Sequence, residues 1–122
     1  MIEKTLYLLL SGLEGIALFP LVIPQEQTQP CVSYMRLKTT PTNTQQGTNR
    51  KHDNGQFQVD VWTKDYLRAA ELAEQIIDRL VEAYGATALL LENKDEPYDS
   101  QPGIYHRVLV FSLREIRAEG GS

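Results

Sequence analysis

The sequence predicts an α+β fold: a single, mostly antiparallel sheet of about four strands, with a long helix packed on one face and a short N-terminal helix. Three stretches carry this expectation. Residues 55–63 and 104–116 alternate their side chains with the period of a strand, and residues 66–84 repeat apolar side chains at the three- and four-residue intervals of a helix. The 122 residues fit one domain, 1–122, with chain enough for one sheet and its helices.

Taken in order, Ile2, Leu6, Leu9, Leu10 and Leu13 recur at helical spacing, so residues 2–11 form a short amphipathic helix that Gly12 ends. Pro20 and Pro24 forbid a helix over 15–24 and demote any strand there to a short or edge piece. Residues 31–40 read as a strand that Pro41 stops, with Val32, Tyr34, Arg36 and Lys38 on one face. Residues 42–54 contain no apolar side chain and predict a mobile loop, because they cannot bury enough surface to offset their ordering entropy. A loop of that length between two good strands has a role or is disordered.

The 55–63 strand carries Phe57, Val59 and Val61 on one face and Gln56, Gln58, Asp60 and Trp62 on the other. The following helix presents Tyr66, Ala69, Ala70, Ala73, Ile76, Ile77, Leu80 and Tyr84 as its apolar stripe, with Thr63 expected as N-cap and Gly85 as the C-terminal stop. Its alanines let it lie close against Phe57, Val59 and Val61. Residues 87–92 read as a short strand, 93–102 as a polar loop, and 104–116 as a strand apolar on both faces and therefore interior. Residues 117–122 read as a flexible tail. The second sheet face is expected to hold Tyr34, Arg36, Gln58, Asp60, Trp62 and His106, covered by the N-terminal helix or by another subunit.

The net charge of -4, without like-charge runs, argues against non-specific nucleic-acid binding. A lone cysteine, Cys31, excludes an internal disulfide framework. The apolar run Leu6 to Leu10 is far short of the ~20 residues that span a bilayer, and its flanks do not read as a targeting signal.

Chemistry is not legible in the chain. His52 and His106 have no second ligand at metal-binding spacing, and no phosphate loop or paired-cysteine motif is present. A nucleophilic cysteine needs a group that lowers its pKa, and Cys31 has no such neighbour in sequence. Asp60 lacks the second carboxylate or histidine that acid–base work requires, so a structural pair with Arg36 is expected. The expectation is a non-enzyme with no cofactor and no metal.

The order Phe19-Pro20, Pro24, Pro30 opening a strand that ends at Thr39-Thr40-Pro41, then Gln58-Val59-Asp60-Val61-Trp62 with Tyr66, Ala69 and Leu72 in the next helix resembles the tail-completion (head–tail joining, tail-terminator-like) proteins of long-tailed bacteriophages and prophages. The Gln-Val-Asp-Val-Trp strand followed by Tyr66 is its most specific part. Cys31, where an aromatic residue is expected, departs from the pattern.

That resemblance implies a structural virion assembly protein. It forms a ring, typically a hexamer, on the head-proximal end of the tail, ends tail-tube polymerisation and joins tail to head. Its implied partners are itself, the tail-tube protein and a head–tail connector protein, with no membrane and no sequence-specific nucleic acid, although DNA passes through the ring. Its implied location is the head–tail junction of the virion, and the bacterial host cytoplasm during assembly. A head-to-tail ring needs two different complementary surfaces. Tyr34, Arg36, Gln58, Asp60 and Trp62 are candidate subunit-contact or structural residues, and Gln45, Gln46, Arg50, Lys51 and His52 a candidate assembly loop. A head-side stopper or adaptor is the close alternative. A small cytosolic ligand-binding or regulatory α+β module is the alternative of another class, since such folds serve many functions.

Overall fold

The computed structural model describes residues 2–13, 15–20, 30–39, 52–96 and 104–116. Helix α1 (Ile2–Leu10) is followed by strands β1 (Ala17–Pro20), β2 (Cys31–Thr39) and β3 (His52–Thr63), helix α2 (Tyr66–Tyr84), a 3-10 turn (Gly85–Thr87), and strands β4 (Ala88–Glu96) and β5 (Tyr105–Ile116). The strands form one sheet in the order β1-β2-β3-β5-β4. The α+β expectation holds, with two refinements. The sheet has five strands, and β1 runs parallel to β2 while every other pair is antiparallel. The fifth strand is the proline-broken segment, which pairs over four residues at the sheet's edge, the place where proline is tolerated.

Phe57, Val59 and Val61 pack with Leu72, Ala73, Ile76 and Leu80 of α2, as their alternation predicts. Ala69, 1% exposed, lies on the same buried side of the helix and lets it approach the sheet. Leu72, outside the expected stripe, is fully buried, whereas Tyr66 is exposed. Asp65, rather than Thr63, caps α2: its side chain accepts from Leu67 N–H at 3.0 Å. Thr63 is buried and its hydroxyl donates to the Asp65 carbonyl, bracing the cap from behind. Gly85 closes the helix at φ +58°, its N–H donating to the Val81 carbonyl.

Helix α1 lies on the same sheet face as α2, so of the two covers expected for the second face, the N-terminal helix or another subunit, the first is excluded. Ile2, Leu6 and Leu10, four residues apart, enter the core beside Val32, Tyr34 and Phe57. Arg79 of α2 donates to the carbonyls of Leu9 at 3.1 Å and Gly12 at 3.4 Å, so a cation satisfies the C-terminal carbonyls of α1.

Two strand limits also differ. β3 begins at His52, so the last three residues of the expected 42–54 loop pair with β5. β4 runs to Glu96, where a loop from 93 was expected. Both extensions are polar and are held by ladder hydrogen bonds, which hydropathy patterning cannot register. The remainder of the loop, with Gln45, Gln46, Arg50 and Lys51, and the 117–122 tail lie outside the described residues.

Candidate functional site

Register decides which side chains share a face. Cys31 pairs with Trp62, Ser33 with Asp60 and Met35 with Gln58, while Tyr34 pairs with Val59 and Arg36 with Phe57. Tyr34 and Arg36 therefore sit on the helix-covered face, and their expected company with Gln58, Asp60 and Trp62 is corrected. Tyr34 is 8% exposed and belongs to the core.

Arg36 is bound within its own chain. Its Nε and Nη2 donate to the two carboxylate oxygens of Glu3 at 2.7 and 2.8 Å, and Nη2 also reaches Asp53 Oδ2 at 2.9 Å. The guanidinium lies 4.5 Å from the centre of the Phe57 ring. Asp53 in turn accepts from Ile2 N–H at 3.1 Å, so this cluster ties α1 to β2 and β3. Gly55 makes the cluster possible: a Cβ there would stand 2.7 Å from both Arg36 Nη1 and the Lys38 carbonyl. The hydrogen bond from Arg36, opposed by burial, holds the Glu3 carboxyl below its usual range. Burial would raise Asp53, but the bonds from Arg36 and Ile2 N–H outweigh it and its pKa is lowered too. Arg36 is consequently a structural residue, and its expected pairing with Asp60 does not occur.

Among the described residues, the second sheet face bears no helix. Asp60 lies near its centre, 9% exposed. Gln58 Nε2 donates to Asp60 Oδ1 at 2.7 Å, and His106 Nε2 lies 2.9 Å from Oδ2. A carboxylate oxygen can only accept, so Nε2 carries the proton in this arrangement. The His106 ring stacks on Trp62 with centroids 4.3 Å apart and planes at 9°. Val108 and Val110 complete the strip at 5% and 7% exposure. Sequence reasoning put Asp60 and His106 on one face but missed their contact, because β5 inserts between β3 and β4.

The strip presents hydrogen-bonding and aromatic groups, but not in the order of a nucleophilic triad. In a nucleophilic triad the histidine stands between carboxylate and nucleophile, whereas here Asp60 stands between His106 and Gln58. Cys31 is buried, and burial pushes its thiol pKa up, away from the reactive thiolate. Among the described residues no group of three or more His, Cys, Asp or Glu side chains is placed to hold a metal ion.

The described residues form a two-layer α+β domain, one sheet with helices on one face, whose second face bears an interlocked polar and aromatic strip. The particular family is shown by sequence: the chain matches the tail completion protein gp17 family over residues 9–115 and belongs to it. A search of curated proteins returns no significant match. Among solved structures, the chain is similar to one in the virion of a native gene transfer agent particle, with 19% identity, a TM-score of 0.62, and 91% of this chain and 84% of that one covered. At that identity the likeness concerns the fold.

Proposed function

We propose that this protein caps the head-proximal end of a phage tail as a ring of identical copies, ending tail-tube polymerisation and joining the tail to the head. Membership of the tail-completion family over residues 9–115 carries this reading. The similar fold in a gene transfer agent virion supports a place in the virion; the head–tail junction, with the tail tube and a connector as neighbours, is the position we propose there. Gln58, Asp60 and Trp62, held together with His106 on the sheet face without a described helix, are the proposed contact residues. Such a strip is pre-ordered, so contact through it costs little side-chain entropy. Tyr34 and Arg36 are not proposed as contacts, being engaged with the core and with α1.

Deleting the gene from its phage should leave filled heads and separate tails, often of abnormal length. Normal infectious particles from the deletion would overturn the proposal. A head-side stopper or adaptor is separated by mass spectrometry of purified heads and purified tails: the protein is expected on tails, and recovery on heads alone would move it to the connector.

A further inference from the structure

The two edges of the sheet are unlike. β1 is four residues long and ends in Pro20, and the Ala17 N–H is directed to the Pro30 carbonyl on the β2 side. By alternation, Leu18 and Pro20 turn their backbone groups outward; β1 is thereby blunted against a second β1, offering one N–H, that of Leu18, and the carbonyls of Leu18 and Pro20 to a short partner stretch. β4 is nine residues long and lacks proline, and among the described residues nothing pairs with its outer side. Three consecutive leucines on it, Leu89, Leu90 and Leu91, are 60%, 39% and 42% exposed. An apolar strand edge of this kind is a template for another strand, and proteins that must not pair normally blunt it.

Only half of β4 is blunted. Lys94 Nζ lies 3.8 Å from Glu92 and 3.6 Å from Glu96, and Asp95 forms an ion pair with Arg107 at 3.1 Å. The charged half is thus engaged in ion pairs within the chain, and residues 88–91 remain as an uncharged stretch. Its length matches the four uncharged residues of β1.

Directions agree as well. From the pairings across the sheet, β4 runs antiparallel to β1. A second copy placed beyond β4 with its helices on the same side therefore presents its β1 in antiparallel orientation, and the sheet continues without turning over. Self-pairing of two β4 strands along their full length fits poorly, because it sets Glu92 opposite Glu92, Leu89 opposite Asp95 and Leu90 opposite Lys94.

We propose that copies of this chain join edge to edge, residues 88–91 of β4 on one copy adding to the outer side of β1 on the next. This deepens the ring reading and rests on it: two different edges on every subunit give the head-to-tail contact that closes into a ring. The sheet then runs from subunit to subunit with all helices on one side.

The test uses full-length Ala17→Cys and Leu89→Cys variants and a short bis-maleimide, with the unaltered chain, whose Cys31 is buried, as control. A mixture of the two variants should give a cross-linked dimer that neither gives alone. The double variant should give a ladder of higher species. Self-cross-linking of Leu89→Cys alone would overturn the proposal in favour of paired β4 strands. No cross-link at concentrations where electron microscopy shows rings would overturn it while the ring reading stands; cross-links without closed rings would uphold the edge contact and remove the ring. Leu89→Lys combined with Leu91→Lys should raise the concentration needed for assembly at least tenfold with an unchanged circular dichroism spectrum. Assembly at the unaltered concentration would count against the edge.

Discussion

Asp60 meets His106 at 2.9 Å across the boundary between two strands that are far apart in sequence, and the Trp62 indole lies flat against the same imidazole. Carboxylate, imidazole and indole form one unit on the face proposed to meet a neighbour.

Removing Asp60 leaves Gln58 and His106 without their acceptor in a largely buried setting. Asp60→Ala should destabilise the fold by about 1–3 kcal/mol. A double-mutant cycle of Asp60→Ala and His106→Ala in urea unfolding should return a coupling energy of at least about 0.5 kcal/mol, since the residues touch. Additive losses would mean that the contact contributes nothing.

The Arg36 cluster makes stability depend on acid. Glu3 and Asp53 both have folded-state pKa values below their ordinary ones. The unfolded chain therefore takes up protons first as pH falls, and the cluster's contribution, full above the ordinary carboxylate range, is lost as pH drops through the lowered folded values. Arg36→Met should lower stability at pH 7 by roughly 2–3 kcal/mol, less than for a fully buried pair because Glu3 remains partly wet. It should also flatten the acid limb. Urea melts at several pH values measure both effects.

Gly55→Ala introduces a Cβ at 2.7 Å from the Lys38 carbonyl, which the β2–β3 ladder fixes in place. A loss of about 1–3 kcal/mol is expected from overpacking. A thermal midpoint equal to that of the unaltered protein would show that β2 gives way there.

Asp65→Ala removes the side-chain acceptor of Leu67 N–H at the start of α2. The expected cost is about 1 kcal/mol. Hydrogen exchange should quicken in the first turn of the helix and leave β5 unchanged.

The fold was legible wherever a side chain's period was enforced by burial. Phe57, Val59, Val61, Leu109, Phe111 and Leu113 sit where alternation puts them, and Ala69, Ala73, Ile76 and Leu80 where the helical stripe puts them. Partnership was not legible. Alternation assigns two faces to each strand but cannot say which face of β2 joins which face of β3, because register fixes that. Hence Tyr34 and Arg36 were assigned to the wrong side, and Arg36 was paired with Asp60 instead of Glu3 and Asp53. The exposed leucines of β4 were read as an ordinary short strand, since exposure follows from β4 being last in the sheet order.

The position of β5 has a consequence for the order of events in the cell. The strand that joins β3 to β4 is the last of the described elements to leave the ribosome, so until then β3 lacks one neighbour and β4 has none among the described strands. The sheet cannot close until β5 has emerged, and its many sequence-distant pairings make closure comparatively slow. A chain truncated after residue 104 should be readily cleaved by protease, whereas the unaltered chain should resist. Since the β4 edge acquires its shape only when β5 docks, a subunit without β5 presents no β4 edge in its sheet form, and under the proposed edge contact the fold itself delays joining until β5 is in place.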